Sequence, residues 1–476
     1  MAVYAEKPAA QEAIEAVVAL QPFPVILPGT EEFLKVQESY WNAQQRSAAP
    51  SAFFQPHTPE HVSGIVQEIV RARLAFAIKG GGHSSNLGGS STNDGVTIDL
   101  SRLDHIVIAK DKKTVRLGPG VRWGVLFRIL DEQKLAAAGG RDASVGVPGF
   151  LFGGGLSAWG AKHGWGSDSI ISADVVVLAD GTLVTADQQI HPDLLRALKG
   201  GGAHNFGIVT SVTIKLHPCD GMWGGMQIVS DKSFPDLFEA IDCYAKSLAQ
   251  DGMANLIVDV VHHNDPARFK DTELIALVQM AYCEPTPEPA VFQALRELPS
   301  THNSGRLASS FDFETEMAEM TYVTAKRNIY WTICMQYNKD LLKAAFEIWQ
   351  KSTAGPPASA APAFDIQFLA PALRNKSARE GLGELFGIQG PDEPLVNLNV
   401  AATWTDEKDD KAVTSLTRNI VADIEELART RGFYSPFNYM NYAHREQDVI
   451  GSYGPEKQAF LRRLSAKYDP QGVFQK

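Results

Sequence analysis

The chain has 476 residues, too many for one hydrophobic core, and its 44% hydrophobic and 21% charged content suits two or three folded units. A net charge of −11 argues against nucleic acid or an anionic membrane surface as partner, and no apolar run approaches the ~18 residues that span a bilayer. The four cysteines (Cys219, Cys243, Cys283 and Cys334) form no CxxC pair and read as reduced thiols of a cytosolic protein rather than as a zinc site.

Met1 to Lys7 runs on to Glu12 and Glu15 without a basic segment ahead of an apolar core, so no secretory signal is read. Residues up to about Arg46 read as a helical arm whose apolar contacts come from Phe33, Leu34, Val36, Tyr40 and Trp41. A helix is predicted from Thr58 as N-cap, through Pro59, to Arg73, because Val62, Ile65, Val66, Ile69 and Val70 form one stripe at helical spacing. An apolar run from Leu74 to Ile78 then leads into Lys79-Gly80-Gly81-Gly82-His83, where adjacent glycines let backbone N–H groups approach a ligand and form an anion cradle.

Val96 to Ile98 reads as a strand, and Ile106 to Ile108 with Val115 to Leu117 as a hairpin. A helix carries Trp123, Leu126, Phe127 and Leu130. Well over half of the 40 glycines fall between Gly80 and Gly225, with further triplets at Gly153-Gly154-Gly155 and Gly200-Gly201-Gly202. Tight turns alone do not need three such triplets. A hairpin turning at Asp180-Gly181, a helix from Pro192 to Lys199 and a strand from Ile208 to Leu216 complete this part, and Pro218 to Gly225 looks like a boundary. Beyond it, strands at Leu256 to Val261, Leu274 to Met280, Ile329 to Met335, Phe364 to Leu369 and Leu395 to Trp404 alternate with amphipathic helices, which reads as an α+β unit with an antiparallel sheet. Ala354 to Pro362 reads as a loop.

Gly153-x-Gly155-x-x-Ala158 matches a dinucleotide fingerprint but lacks a preceding strand and a glycine-free helix after it, so no nicotinamide site is read there. The glycine clusters with their neighbours say more. Lys79 to His83, Val145-Gly146 to Gly155, Val176 to Gly181, Asp193 to Gly202 and Asn205 to Thr210 occur in that order, and the tail carries Tyr439-x-Asn441-Tyr442 and Lys467-Tyr468-Asp469-Pro470. This series resembles the FAD-linked oxidases of the vanillyl-alcohol oxidase and p-cresol methylhydroxylase (PCMH) type, and within them the berberine-bridge-enzyme-like group of plants and fungi.

The resemblance implies an α+β fold: a PCMH-type FAD-binding domain of two α+β subdomains over residues 1–218, a substrate-binding cap over 219–432 with an antiparallel sheet flanked by helices, and a segment 433–476 returning to the FAD domain. It implies FAD contacts from Lys79, Gly80, Gly81, Gly82, His83, Ser84, Ser85 and Gly88. It extends them to Asp142, Val145, Gly146, Gly149, Gly153, Gly154, Gly155, Ser157 and Asp168, and to Gly207, Ile208, Val209 and Asn441. His83 matches the histidine that carries the flavin through its 8α-methyl group; the alternative is a loop histidine satisfied by backbone groups. Many relatives add a cysteine link three residues before the matching Val-Gly, but here that position is Asp142, so a single covalent link is expected.

Asn397 and Asn399 share one face of their strand, where relatives place substrate-facing polar groups; the alternative is the solvated face of an edge strand. Amides can hold a substrate but cannot take its proton. Tyr439 is the remaining candidate acid or base, although an ordinary phenol near 10 is protonated at pH 7 by a margin of ~4 kcal/mol; the alternative is an ordinary buried aromatic. The expected function is an intracellular oxidase that removes hydride from a C–OH or C–N centre of a small molecule, passes electrons to molecular oxygen and serves specialised metabolism, as a monomer or homodimer. A carbohydrate or alcohol oxidase, and a non-redox cyclase favoured by the lack of a carboxylate base, stay open.

Overall fold

The computed structural model describes residues 7–19, 23–93, 95–177, 180–202, 204–263, 272–321, 326–357, 359–379, 385–388 and 393–475. Met1 to Glu6 of the arm, and Leu178 and Ala179 of the expected hairpin, lie outside these. The helix Pro59–Ala72 shows how local signals set an element. The Thr58 side chain accepts the N–H of His61 at 3.3 Å, Pro59 occupies the first turn, and the helix ends at Arg73 in the left-handed region (φ 53°). Val62, Ile65, Val66 and Ile69 of its stripe are buried, and Val70 is half-buried.

That helix covers the first sheet, in which Ala52–Phe54, Gly95–Asp99 and Ala75–Lys79 run parallel and Val25–Ile26 closes the edge. The glycine loop leaves the carboxyl end of Ala75–Lys79, the end of a parallel strand where α/β proteins place ligands. A second, antiparallel sheet has the order Ile106–Ile108, Thr114–Leu117, Ile208–Lys215, Ile170–Val177, Thr182–Ala186. The helices Trp123–Asp131, Val147–Phe152 and Pro192–Gly201 contribute to its core.

The third sheet has nine strands among the described residues, all paired antiparallel. Ala254–His262, Ala360–Leu369, Leu395–Trp404 and Arg327–Gln336 are neighbours at its centre. Alternation divides its residues. Val258, Phe364, Ile366, Leu398 and Val400 pack with residues of the helices Phe234–Ser247, Lys339–Ser352 and Asp410–Thr430. The intervening residues, among them Asp259, Asp365 and Asn399, face the other way. The stretch Ala354 to Pro362 is not wholly a loop: the strand begins at Ala360, opposite Trp404. Pro362 is tolerated because pairing on the strand's other side begins only at Ala363.

Tyr434–Ser435 adds a short strand beside Arg327–Gln336, and the chain then returns to the first part. There Tyr453 donates to the carbonyl of Gly200 at 2.9 Å, and Lys467 and Tyr468 both reach Asp193.

Beneath the glycine loop, Lys79 and Asp99 sit opposite each other at the ends of adjacent parallel strands and form an ion pair of 3.1 Å with side chains only 3% and 1% exposed. Gln55 Nε2 also donates to Asp99, at 2.8 Å. Removing one charge of a buried pair strands the other at a cost of about 3–5 kcal/mol. Lys79→Met should therefore lower the thermal midpoint sharply, and Lys79→Met combined with Asp99→Asn should recover part of the loss in the same calorimetric scan. Additive losses would show that the buried charge is not the cause.

Candidate active site

Two backbones touch at one wall of the main cavity. Gly81 and Gly146 lie face to face, so that a Cβ built on Gly146 would sit 2.7 Å from the Gly81 Cα, and one on Gly81 would sit 2.5 Å from the Gly146 Cα. The two loops form one wall of a cavity of about 490 Å³, within the size of small-molecule sites. The amide N–H groups of Gly81, Gly82, His83 and Ser84 have no acceptor among the described residues, and the Oγ of Ser90 at the same wall also has no partner there. Such a row of free donors suits an anion.

His83 stands within this row with its ring clamped. Trp41 stacks on it at 4.5 Å between centroids and 13° between planes, and Tyr330 stacks behind Trp41 at 6.0 Å. Nε2 of His83 lies 3.0 Å from Ser144 Oγ, and Ser144 donates its hydroxyl to Asp142 Oδ1 at 2.6 Å. Desolvation holds the imidazole down to about 4; Asp142 pulls it upward and Arg122 pushes it down. The ring is therefore neutral at pH 7.

The opposite wall belongs to the large sheet. Pairing aligns Asp259 with Asp365 and Asp365 with Asn399, which makes one row across three strands. Asn399 Nδ2 donates to Asp365 Oδ2 at 2.7 Å. Burial, the facing Asp259 carboxylate and a hydrogen bond shared with it drive the Asp365 carboxyl well above the ordinary range, and burial raises Asp259 as well. Two carboxyls so placed compete for protons, since neither ionises freely while the other is charged. In the next row, Gln367 accepts from Arg141 at 2.7 Å, and Arg141 also donates to the Tyr442 hydroxyl at 2.9 Å.

Many of the expected residues meet at this cavity. Gly80, Gly81, Gly82, His83, Ser84 and Ser85 line it with Asp142, Val145, Gly146, Gly149 and Gly153. Val209, Asn399, Tyr439 and Asn441 do so as well. Others stand outside the lining. Lys79 is paired below the loop and Gly88 is exposed. Gly154, Gly155, Gly207 and Ile208 are buried but do not line it. Ser157 caps a turn by accepting the N–H of Trp159, and Asp168 accepts the N–H of Trp165. Asn397 is set back from the cavity and accepts from Thr332 Oγ1 at 2.8 Å.

Asn397 and Asn399 are 0% and 1% exposed on an interior strand, which removes the solvated-edge alternative. The oxygen of Tyr439 accepts from the N–H of Leu156 at 2.8 Å and from Asn441 at 3.0 Å, and burial pushes its phenol well above the ordinary value. It keeps its proton at neutral pH. The reading that no carboxylate serves the site, which favoured a cyclase, is corrected: Asp259 and Asp365 line the cavity. Each is a lone acid within an apolar strand, and that was the available signal. Arg141, Ser144 and the ring of Trp41 gave none.

The fingerprint Gly153-x-Gly155-x-x-Ala158 follows the helix Val147–Phe152 rather than a strand, so the dinucleotide turn is absent there. No helix among the described residues is long and apolar enough to cross a membrane.

Residues 50–187 match a family model described as an FAD binding domain. The FAD-dependent monooxygenase tpcD of Cochliobolus heterostrophus is 30% identical over 469 residues, covering 95% of this chain and 87% of that relative. Among solved structures, 6-hydroxy-D-nicotine oxidase from Arthrobacter nicotinovorans aligns with a TM-score of 0.79 at 20% identity, over 95% of this chain and 96% of that one. A variant of berberine bridge enzyme aligns with a TM-score of 0.76 at 15% identity, over 98% of each chain. Fold, cradle and relatives together define an FAD-dependent oxidoreductase. The chain belongs to the family of the fungal FAD-dependent monooxygenase it matches, and its α+β architecture is the fold seen in berberine bridge enzyme and 6-hydroxy-D-nicotine oxidase.

The residues present fit the cofactor. The unpaired amides from Gly81 to Ser84 suit its pyrophosphate, and the cavity between them and the sheet is large enough to take an aromatic ring system. Gly146 has ordinary backbone angles (φ −73°), so only the contact with Gly81 forbids a side chain there. Gly146→Ala should therefore purify with little or no FAD, read as loss of the 450 nm absorbance relative to 280 nm. Full FAD content would show that the two loops can separate without cost.

Proposed function

We propose that this enzyme removes hydride from a C–OH or C–N centre of a small organic molecule, with O₂ as final electron acceptor, in the making of a specialised metabolite. The observation that carries this reading is the row Asp259, Asp365, Asn399 on the cavity wall. When bound, FAD supplies the two-electron acceptor. A hydroxyl or amine centre that gives up hydride must also give up a proton, and the carboxyl pair of Asp259 and Asp365 is the acid–base group on the cavity wall that would take it. Apart from the hydrogen bond that the two carboxyls share, Oδ1 of Asp259, Asp365 and Asn399 are buried acceptors with no donor among the described residues, so a bound hydroxyl or ammonium group would satisfy them.

Asn399 orients Asp365 through its amide, and Arg141, fixed by Gln367 and Tyr442, gives the site a positive edge. Tyr439 holds the Leu156 backbone and Asn441 in place rather than taking the proton. FAD would be tied by one covalent bond, through His83, since Asp142 stands where a second anchor is found in relatives. A second reading, insertion of an oxygen atom, is favoured by the designation of the fungal relative as a monooxygenase.

Anaerobic bleaching of the flavin, screened over sugars, alcohols, amines and aromatic alkaloids, should find the substrate class among alcohols or amines. With that substrate, Asp365→Asn should keep the flavin spectrum but slow bleaching by about 10²- to 10⁴-fold. Because burial raises both carboxyls, acidification should refill the pair and stop the reaction above the ordinary aspartate range. A variant that bleaches as fast as the parent would remove the pair from the mechanism. Under ¹⁸O₂, label in peroxide alone marks an oxidase, and label in the product marks oxygen insertion.

A further inference from the structure

Around His83 the hydrogen bonds favour one arrangement of protons. Ser144 has a single hydroxyl proton, and it is committed to Asp142 Oδ1 at 2.6 Å. The Ser144 backbone N–H donates to the same oxygen at 2.7 Å, which fixes the serine against the carboxylate. Ser144 Oγ therefore meets His83 Nε2, 3.0 Å away, with a lone pair, and Nε2 carries the hydrogen. The proton on Nε2 leaves Nδ1 unprotonated, with the carbonyl of His83 itself beside it, in a ring that the Trp41 stack holds.

We propose that Asp142 and Ser144 are positioning residues forming a proton relay, which presents Nδ1 of His83 to FAD and removes the Nε2 proton as the covalent bond forms. The inference rests on the reading of His83 as the tether. The new bond joins Nδ1 to the 8α-methyl carbon. That carbon gives up one C–H proton and the imidazole gives up its Nε2 proton; the two electrons released pass to O₂, which leaves as hydrogen peroxide.

Without an outlet, the alkylated ring would be a cation enclosed beside the Arg122 guanidinium, which already donates to the Ser144 carbonyl. The relay supplies the outlet: Nε2–H to Ser144 Oγ, and the serine proton to Asp142. The logic is that of a serine, histidine and aspartate triad, with the order of the serine and histidine exchanged. The residue at the position of the relatives' second anchor thus serves the first one.

The test follows covalent attachment rather than turnover. Holoproteins of the parent, Asp142→Asn, Ser144→Ala, Ser144→Thr and His83→Ala are sampled at intervals after purification and denatured in acid. The flavin that stays with the polypeptide is read by in-gel fluorescence, and the native visible spectrum reports total FAD. The parent should become fully labelled and His83→Ala not at all. Asp142→Asn and Ser144→Ala should bind FAD, showing that the cradle is folded, yet attach it about 10²-fold more slowly. Ser144→Thr, which keeps the hydroxyl, should attach it near the parent rate. Parent-like rates in Asp142→Asn and Ser144→Ala, or a Ser144→Thr as slow as Ser144→Ala, would overturn the relay and leave the tether standing. A parent that releases all its flavin would overturn both, while leaving the FAD fold untouched.

Discussion

The contact between the backbones of Gly81 and Gly146 is the constraint from which the rest of the site follows. It joins a loop at the carboxyl end of the parallel sheet to a turn belonging to the antiparallel one. The distance between those two backbones leaves no room for a side chain, so the loops meet only if both positions are glycine. Once they meet, the unpaired amides of Gly81 to Ser84 line one wall, and His83 comes within hydrogen-bonding reach of Ser144. The cradle, the clamped imidazole and the serine–aspartate pair are thus parts of a single packing solution.

The facing wall is held against a different cost. Putting Asp259 and Asp365 side by side in a sheet spends stability, because neither can ionise freely while the other is charged. The same strands fill their other face with Val258, Phe364, Ile366 and Leu398, so an apolar replacement on the cavity side would be easy to accommodate. Carboxyls kept where hydrocarbon would be more stable point to chemistry. The alternation of the strands serves both needs, with one face closing the helical core and the other lining the cavity.

How far the sequence reached depended on how local each feature is. Thr58 and Pro59 mark their helix because capping is decided within one turn, and the glycine triplets announce a cradle by composition alone. The alternation in Leu395–Trp404 placed Asn397 and Asn399 on one face. It could not say that the face is buried, since the first part of the chain covers it. Asp259 and Asp365 were visible as isolated acids, but their partnership depends on cross-strand register between distant segments. Ala360 to Pro362 misled by composition, because the partner strand decides where that strand begins. Ser144, between Ala143 and Val145, carries no signal until the loop holding His83 is folded against it.

The most direct measurement of this account is a crystal structure of the purified holoprotein. The account predicts the flavin ring in the cavity between His83 and the row of Asp259, Asp365 and Asn399, with its pyrophosphate against the amides of Gly81 to Ser84. A flavin ring bound away from those carboxyls, or a pyrophosphate held by other groups, would contradict it.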